Sequence, residues 1–285
     1  MSRPLLLLLC CLLLTACALP PSLPVDTRYQ SANHDSRVQY VVVHYTSSDF
    51  QRALGHLTQG RVSSHYLIDS DPATIYRLVD ENRRAWHAGD SSWQGRTWLN
   101  ASSIGIELVH PGYRERDGQR HWEPYSQAQI DALTLLLRDI LARHQLGPDR
   151  VVGHSDVAPQ RKLDPGPRFP WRQLAEAGVA IWPDDALRQQ ALELLQGRLP
   201  ALGWYQQALA EVGYAVPDDG LWTPATRNVL AAFQMRFRPD DHRGLPDADT
   251  AALLAALAPA AREALQQPLQ VWLVEPITEQ TRMVD

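Results

Sequence analysis

Residues 38–45 read Val-Gln-Tyr-Val-Val-Val-His-Tyr. Four valines and two tyrosines in eight positions are β-branched and aromatic, the side chains that fit a pleated, packed surface. The run is too apolar to alternate, so it predicts a strand buried on both faces, with His44 at its end. Working outward, Ser64–Ile68 and Ile75–Leu78 predict a strand pair joined by the Asp69-Ser70-Asp71-Pro72 turn. Ile104–Val109 and Arg150–Gly153 add two more strands. Ser126 and Gln129 have the spacing of a capping box, and Ile130, Leu133, Leu137, Ile140 and Leu141 form an apolar stripe that Gly147 brings to a stop. From Val38 to Trp182, short strands thus alternate with helical stretches. The expectation is a layered α/β domain, a central sheet with helices packed against it.

After the proline-rich stretch 164–170 and the Trp182-Pro183-Asp184 break, the composition shifts to Ala, Leu and Gln. A second, small all-α domain is expected over residues 184–260. Its candidate helices are Ala186–Gln196, Tyr205–Val212, Pro224–Phe237 and Asp249–Ala258, the third capped by Thr223 with Pro224 in its first turn. The tail from 261 to 285 carries Val271-Trp272-Leu273-Val274, a strand or docking segment.

The N-terminus reads as an address. Arg3 is followed by ten apolar residues, Leu5 to Leu14, and then by Thr15-Ala16-Cys17. Ten helical residues span about 15 Å, half of a bilayer core, so the run predicts a secretory signal (residues 1–16) rather than a permanent membrane span. Leu14-Thr15-Ala16-Cys17 resembles the bacterial lipobox. That resemblance implies cleavage before Cys17, a lipid anchor on its sulfur, and, with Ala18 rather than Asp next, sorting to the periplasmic face of a Gram-negative outer membrane. Residues 17–36, with Pro20, Pro21 and Pro24, would be the lipidated tether.

Composition narrows the chemistry. The chain has 285 residues, 27 basic and 32 acidic side chains, a net charge of −5 and no run of like charge, which argues against a nucleic-acid partner. All three cysteines lie in the first 17 residues, so neither a disulfide framework nor a thiolate metal cage can form later. A metal must use His, Asp or Glu.

His44 and His154 each follow an apolar strand, at what should be the same sheet edge. With Asp156 or Asp164 they supply the three N/O ligands of a catalytic zinc site, and spacing alone leaves the choice of aspartate open. Glu107, between Ile106 and Leu108, points away from both and can face a cleft, where a carboxylate suits general acid/base work. Lys162 is the only lysine, the other 26 basic side chains being arginine, and a lone ammonium here suits donation to a developing oxyanion. His65, on a strand, reads as structural. No His-Glu-x-x-His is present, which speaks against a zinc endopeptidase of that kind.

Five motifs then occur in order: Val43-His44-Tyr45-Thr46, Ser63-Ser64-His65-Tyr66-Leu67-Ile68, Ala85-Trp86-His87-Ala88-Gly89, Ser103-Ile104-Gly105-Ile106-Glu107, and the run from Gly153-His154-Ser155-Asp156 to Lys162-Leu163-Asp164-Pro165-Gly166. Together they resemble the zinc-dependent N-acetylmuramoyl-L-alanine amidases of the amidase-2 type, which share their fold with peptidoglycan recognition proteins. The resemblance covers the domain placed at 37–183. It implies one zinc ion held by His44, His154 and Asp164, Glu107 as acid/base residue and Lys162 as oxyanion stabiliser. It also implies peptidoglycan or muropeptides as substrate, cut between the lactyl group of N-acetylmuramic acid and L-alanine. A non-catalytic recognition lipoprotein of the same fold is the alternative, and no zinc ligand of the pattern is missing. Tyr45, Trp86, His87 and Arg161 are the expected substrate contacts, the aromatic rings against sugar and Arg161 against a stem-peptide carboxylate. Trp93 and Trp98 lie in the same loop. Asp219-Gly220-Leu221-Trp222-Thr223-Pro224 and Ala232-Phe233-Gln234 resemble the three-helix peptidoglycan-binding domain, which implies that the helical part holds murein.

Overall fold

The computed structural model describes residues 23–267, 277–281 and 283. The expected signal segment 1–16, Cys17 and Val271–Val274 lie outside the described residues. The chain divides into two units, up to Asp35 and from Ser36 onward. The described residues 23–35 contain no helix or strand, and Arg28 pairs with Asp26 at 2.6 Å.

In the second unit the run at 38–45 forms β1 (Tyr40–Tyr45), buried as its composition requires. It is followed by α1 (Phe50–Gln59), β2 (Tyr66–Ile68), β3 (Ile75–Arg77), the small hairpin β4 (Ser92–Trp93) and β5 (Arg96–Thr97), and β6 (Ser103–Leu108). Next come the hairpin β7 (Tyr113–Arg116) and β8 (Gln119–Trp122), the long helix α2 (Gln127–His144), β9 (Val151–Gly153) and the short helices α3 (His154–Val157) and α4 (Trp171–Glu176). The main sheet has the order β3-β2-β6-β1-β9. Its strands are parallel except for the edge strand β3.

Alternation along the strands decides what each face does. Val41 and Val43 of β1, Ile104, Ile106 and Leu108 of β6, and Val151 of β9 pack on the apolar stripe of α2. Tyr40 and Val42, with Val152, turn to the opposite face and join the core of the helical part. Leu67 faces the same way further along the sheet, under Ala53 and Leu57 of α1. The C-terminal ends of β1 and β6 lie between these two coverings, and there His44 and Glu107 stand side by side in register.

The helical part contains α5 (Asp185–Leu195), α6 (Leu202–Val212), α7 (Pro224–Phe237), α8 (Ala248–Leu257) and α9 (Pro259–Ala264). Asp184, Thr223 and Asp247 cap α5, α7 and α8 by accepting from the amides of Leu187, Thr226 and Thr250. Compared with the sequence expectation, α6 begins at Leu202 rather than Tyr205 and α9 is additional. The five short helices share one apolar core around Tyr205, Leu209, Leu230, Phe233 and Leu254. Helix α2 leaves the helical path at Gln145, which adopts a left-handed conformation (φ 56°), two residues before the glycine expected to stop it.

Candidate active site

The sheet edge presents three of the expected residues to one point. His44 Nδ1 lies 2.9 Å from His154 Nδ1 and 3.2 Å from Asp164 Oδ2, and His154 Nδ1 lies 2.9 Å from the same Oδ2. All three side chains are buried. His44 ends β1, His154 opens α3 immediately after β9, and Asp164 returns on the following loop, where its carbonyl accepts from the Ser155 amide at 2.7 Å. Geometry therefore selects Asp164. Asp156, the other candidate, points away and accepts from the Gly153 amide at 2.8 Å.

The remaining ring nitrogens fix the tautomers. His154 Nε2 donates to the Ala88 carbonyl at 3.1 Å, and His44 Nε2 donates to His87 Nδ1 at 2.9 Å. His87 Nε2 in turn donates to Ser103 Oγ at 3.2 Å, and that hydroxyl donates to the Leu99 carbonyl at 2.6 Å. With both Nε2 atoms protonated, both Nδ1 atoms present lone pairs, and the Asp164 carboxylate adds a third acceptor. Three acceptors converging without a donor make a set that could hold a cation. Tetrahedral zinc with bonds near 2.0–2.1 Å places its ligand atoms about 3.3 Å apart, close to the spacing observed. The donor set, two imidazoles and one carboxylate, is also one that zinc accepts at catalytic sites.

Burial and the neighbouring His154 push the His44 imidazole down to about 4, which keeps it neutral and ready to ligate. Glu107 is pushed up to about 8, by burial first and by the Asp164 charge second. Its Oε2 is buried without a hydrogen-bond partner. A carboxyl so placed is free to exchange a proton with whatever enters the cleft.

That cleft encloses about 430 Å³ and is bordered by His44, His154, Asp164, Glu107, Lys162 and Tyr45. The expected substrate contacts divide. Tyr45 and Trp86 line the cleft, Trp86 about half exposed with the Arg84 guanidinium 4.1 Å above its ring. His87 borders the cleft, but both its ring nitrogens are engaged, so its visible work is to orient His44. Arg161 also reaches the rim, where Nη2 donates to the carbonyls of Ala88 and Asp90, and Nε to Asp90. It staples the loop that supplies the Ala88 carbonyl to His154. Trp93 is buried and Trp98 exposed, and neither lines the cleft. His65 is structural as expected, accepting from the Gly105 amide at 3.0 Å through Nδ1 and reaching the Arg83 carbonyl through Nε2.

The histidine support was not visible in the sequence. Its only signals were Trp86-His87-Ala88 and Asn100, whose Oδ1 accepts from the amides of His87 and Ala88. Gly105 completes the arrangement, because a Cβ there would lie 2.4 Å from His87 Cγ. Gly105→Ala is expected to displace His87, destabilise the fold by about 1–3 kcal/mol and lower zinc affinity, measured by thermal denaturation and chelator competition.

Comparison with known proteins agrees with this geometry. Residues 34–167 match the family described as N-acetylmuramoyl-L-alanine amidase, and residues 188–254 match the putative peptidoglycan binding domain. Across 244 residues the chain is 44% identical to the N-acetylmuramoyl-L-alanine amidase AmiD of Escherichia coli K12, an alignment covering 82% of this chain and 87% of that relative. The chain belongs to the N-acetylmuramoyl-L-alanine amidase family. The fold of the amidase agrees with a solved complex of AmiD from E. coli with anhydro-N-acetylmuramic acid-L-Ala-D-gamma-Glu-L-Lys, with a TM-score of 0.76 and 43% identity over 82% of this chain and 93% of that one. It agrees equally with AmpDh3 from Pseudomonas aeruginosa, with a TM-score of 0.75 and 40% identity over 83% of this chain and 98% of that one. Both superpositions extend well past the amidase domain.

Proposed function

We propose that the amidase hydrolyses the amide joining the lactyl group of N-acetylmuramic acid to L-alanine in peptidoglycan or its muropeptides, with one zinc ion per chain. The observation that carries this reading is the convergence of His44 Nδ1, His154 Nδ1 and Asp164 Oδ2 beside the unpartnered Glu107 carboxyl. Zinc held by these three groups supplies Lewis acidity, lowering the pKa of water to about 7 and polarising a carbonyl. The chain's own residues do the rest. Glu107 takes a proton from the attacking water as the new C–O bond forms, and returns it to the nitrogen as the C–N bond breaks. The products are the lactyl carboxylate and the free amine of L-alanine. Lys162, on the cleft wall, donates to the carbonyl oxygen as it gains charge. Tyr45 and Trp86 line the path a glycan would take, Trp86 offering an apolar face to a sugar ring.

The lipobox-like Leu14-Thr15-Ala16-Cys17 after an apolar run supports a processed lipoprotein, anchored through Cys17 and acting on murein from the periplasmic face of the outer membrane. Among the described residues no helix is long and apolar enough to cross a membrane. The helical part would hold the enzyme on murein and raise its local concentration there.

The test is to incubate protein lacking residues 1–17 with a disaccharide muramyl pentapeptide and read the products by mass spectrometry. Release of an intact peptide beginning with L-alanine, lost with chelator and regained with zinc, is the expected result. Cleavage within the peptide, or a bound but uncut substrate in the presence of zinc, would overturn the assignment.

A further inference from the structure

The loop carrying two of the three ligands, His154 and Asp164, is gripped from outside the amidase domain. Arg236 belongs to α7 of the helical part, yet its guanidinium is buried against the catalytic domain. One nitrogen, Nη1, donates to Asp156 Oδ2 at 2.6 Å, and the other, Nη2, to the Val151 carbonyl at 3.1 Å. The planar group lies 4.1 Å from the centre of the Trp171 ring. Tyr214, two residues past the end of α6, donates its hydroxyl to the other oxygen of the same carboxylate, Asp156 Oδ1, at 2.7 Å. Asp156 also accepts from the Gly153 amide, so its two oxygens tie Arg236, Tyr214 and the strand-to-helix turn together. His154 is the next residue after Gly153, and the turn has no slack: a Cβ at Gly153 would lie 2.7 Å from Pro165 Cδ.

Helix α7 holds the same loop at a second place. Gln160 donates to the Ala225 carbonyl at 3.0 Å and accepts from Asn228 at 3.0 Å, two residues before Lys162. Both ends of the segment from His154 to Lys162 are therefore fastened to one helix of the other domain.

We infer that Arg236 and Tyr214 are positioning residues for catalysis, setting the His154 ligand through Asp156, so that the helical part completes the active site as well as whatever it binds. The inference rests on the assignment of His154, Asp164 and His44 as zinc ligands. A buried guanidinium–carboxylate pair with a planar fork, an aromatic face and a third hydrogen bond is a rigid element, and groups outside the ligand set alter metal affinity by about 10–100-fold.

The experiment measures zinc affinity of the intact chain at 25 °C by competition with a chromogenic chelator. Alongside it are measured kcat and KM on a soluble muropeptide and the denaturation temperature of the metal-free protein. Arg236→Met is expected to weaken zinc binding about 100-fold and Tyr214→Phe about tenfold. Arg236→Lys, which keeps the charge without the fork, should fall between wild type and Arg236→Met. In each variant kcat should fall with KM unchanged. A lower denaturation temperature with unchanged zinc affinity in the folded variants would show a purely structural pair and overturn the inference. Tyr214→Phe loses one hydroxyl only and decides the matter if Arg236→Met does not fold. The affinity readout involves no substrate, so a failure of the assigned reaction would appear separately, as an uncut muropeptide with the zinc shifts still present.

Discussion

Glu107→Gln is expected to lower kcat by about 10²–10⁴-fold while zinc content remains at one per chain, because the side chain exchanges protons and is not a ligand. Gln fills the same volume and keeps a hydrogen-bonding oxygen, so the fold should survive. The same variant has a pH signature in the metal-free protein. Burial and Asp164 raise the Glu107 carboxyl to about 8, above its unfolded value, so the neutral form is the one the fold prefers. Its contribution to stability is complete below an unfolded pKa near 4.3 and is lost as pH rises through 8. The buried histidines run the other way. His44, His65, His87 and His110 are held below their unfolded values, so they reduce stability only below a pH of about 6.5. Between pH 6.5 and 8, Glu107 is the dominant titrating group among these, and the metal-free wild type should lose stability there while Glu107→Gln does not. Denaturant titrations at pH 6.5, 7.5 and 8.5 check this. Equal slopes for the two proteins would mean that Glu107 is ionised in the metal-free cleft.

Asp164→Ala should reduce bound zinc to background, measured by elemental analysis after gel filtration, and abolish amide cleavage. The argument is electrostatic as well as geometric. Asp164 is the sole anion among the three converging groups, two of which are imidazoles 2.9 Å apart, and its charge is what would draw a dication to them and partly neutralise it. Removing it leaves two neutral ligands for a dication. Asp164→Asn keeps the shape without the charge, and should also bind zinc poorly. Retention of a full zinc equivalent in Asp164→Ala would move the third ligand elsewhere, with Glu107 the nearest remaining carboxyl of the cleft.

The parts of this architecture that were legible in the sequence are those whose pattern is dictated locally. β1 and β6 announce themselves because Val and Ile crowd into them, and α7 because Thr223 and Pro224 mark its first turn. The candidate metal ligands could be narrowed to His44, His154 and one of two aspartates because strand ends put functional groups at a sheet edge. Elements that depend on their neighbours were not legible. Helix α1 carries only a narrow stripe, Ala53 and Leu57, that becomes a core when Leu67 and Val109 arrive from elsewhere. The two hairpins are two to four residues per strand and largely exposed. His87 and Arg161 were read as cleft residues, and both line it, but nothing in their spacing reveals their bonds to His44, Ser103 and the 88–90 backbone. Arg236 is one of 26 arginines. Its partner Asp156 is 80 residues away, and only folding brings the two together.

The sheet face that includes Tyr40, Val42 and Val152 packs with Trp93, Leu99 and Val157 of its own domain in one apolar core that continues into the helical part. This has a consequence on an insoluble, cross-linked polymer. A hydrolase whose grip and blade are joined by a hinge can stay clamped at one spot and sweep many bonds within reach. Here the two share a single interior, so grip and blade move as one body. If the helical part grips murein, each bond cut is chosen when the molecule lands, and reaching the next bond requires the whole molecule to let go or slide.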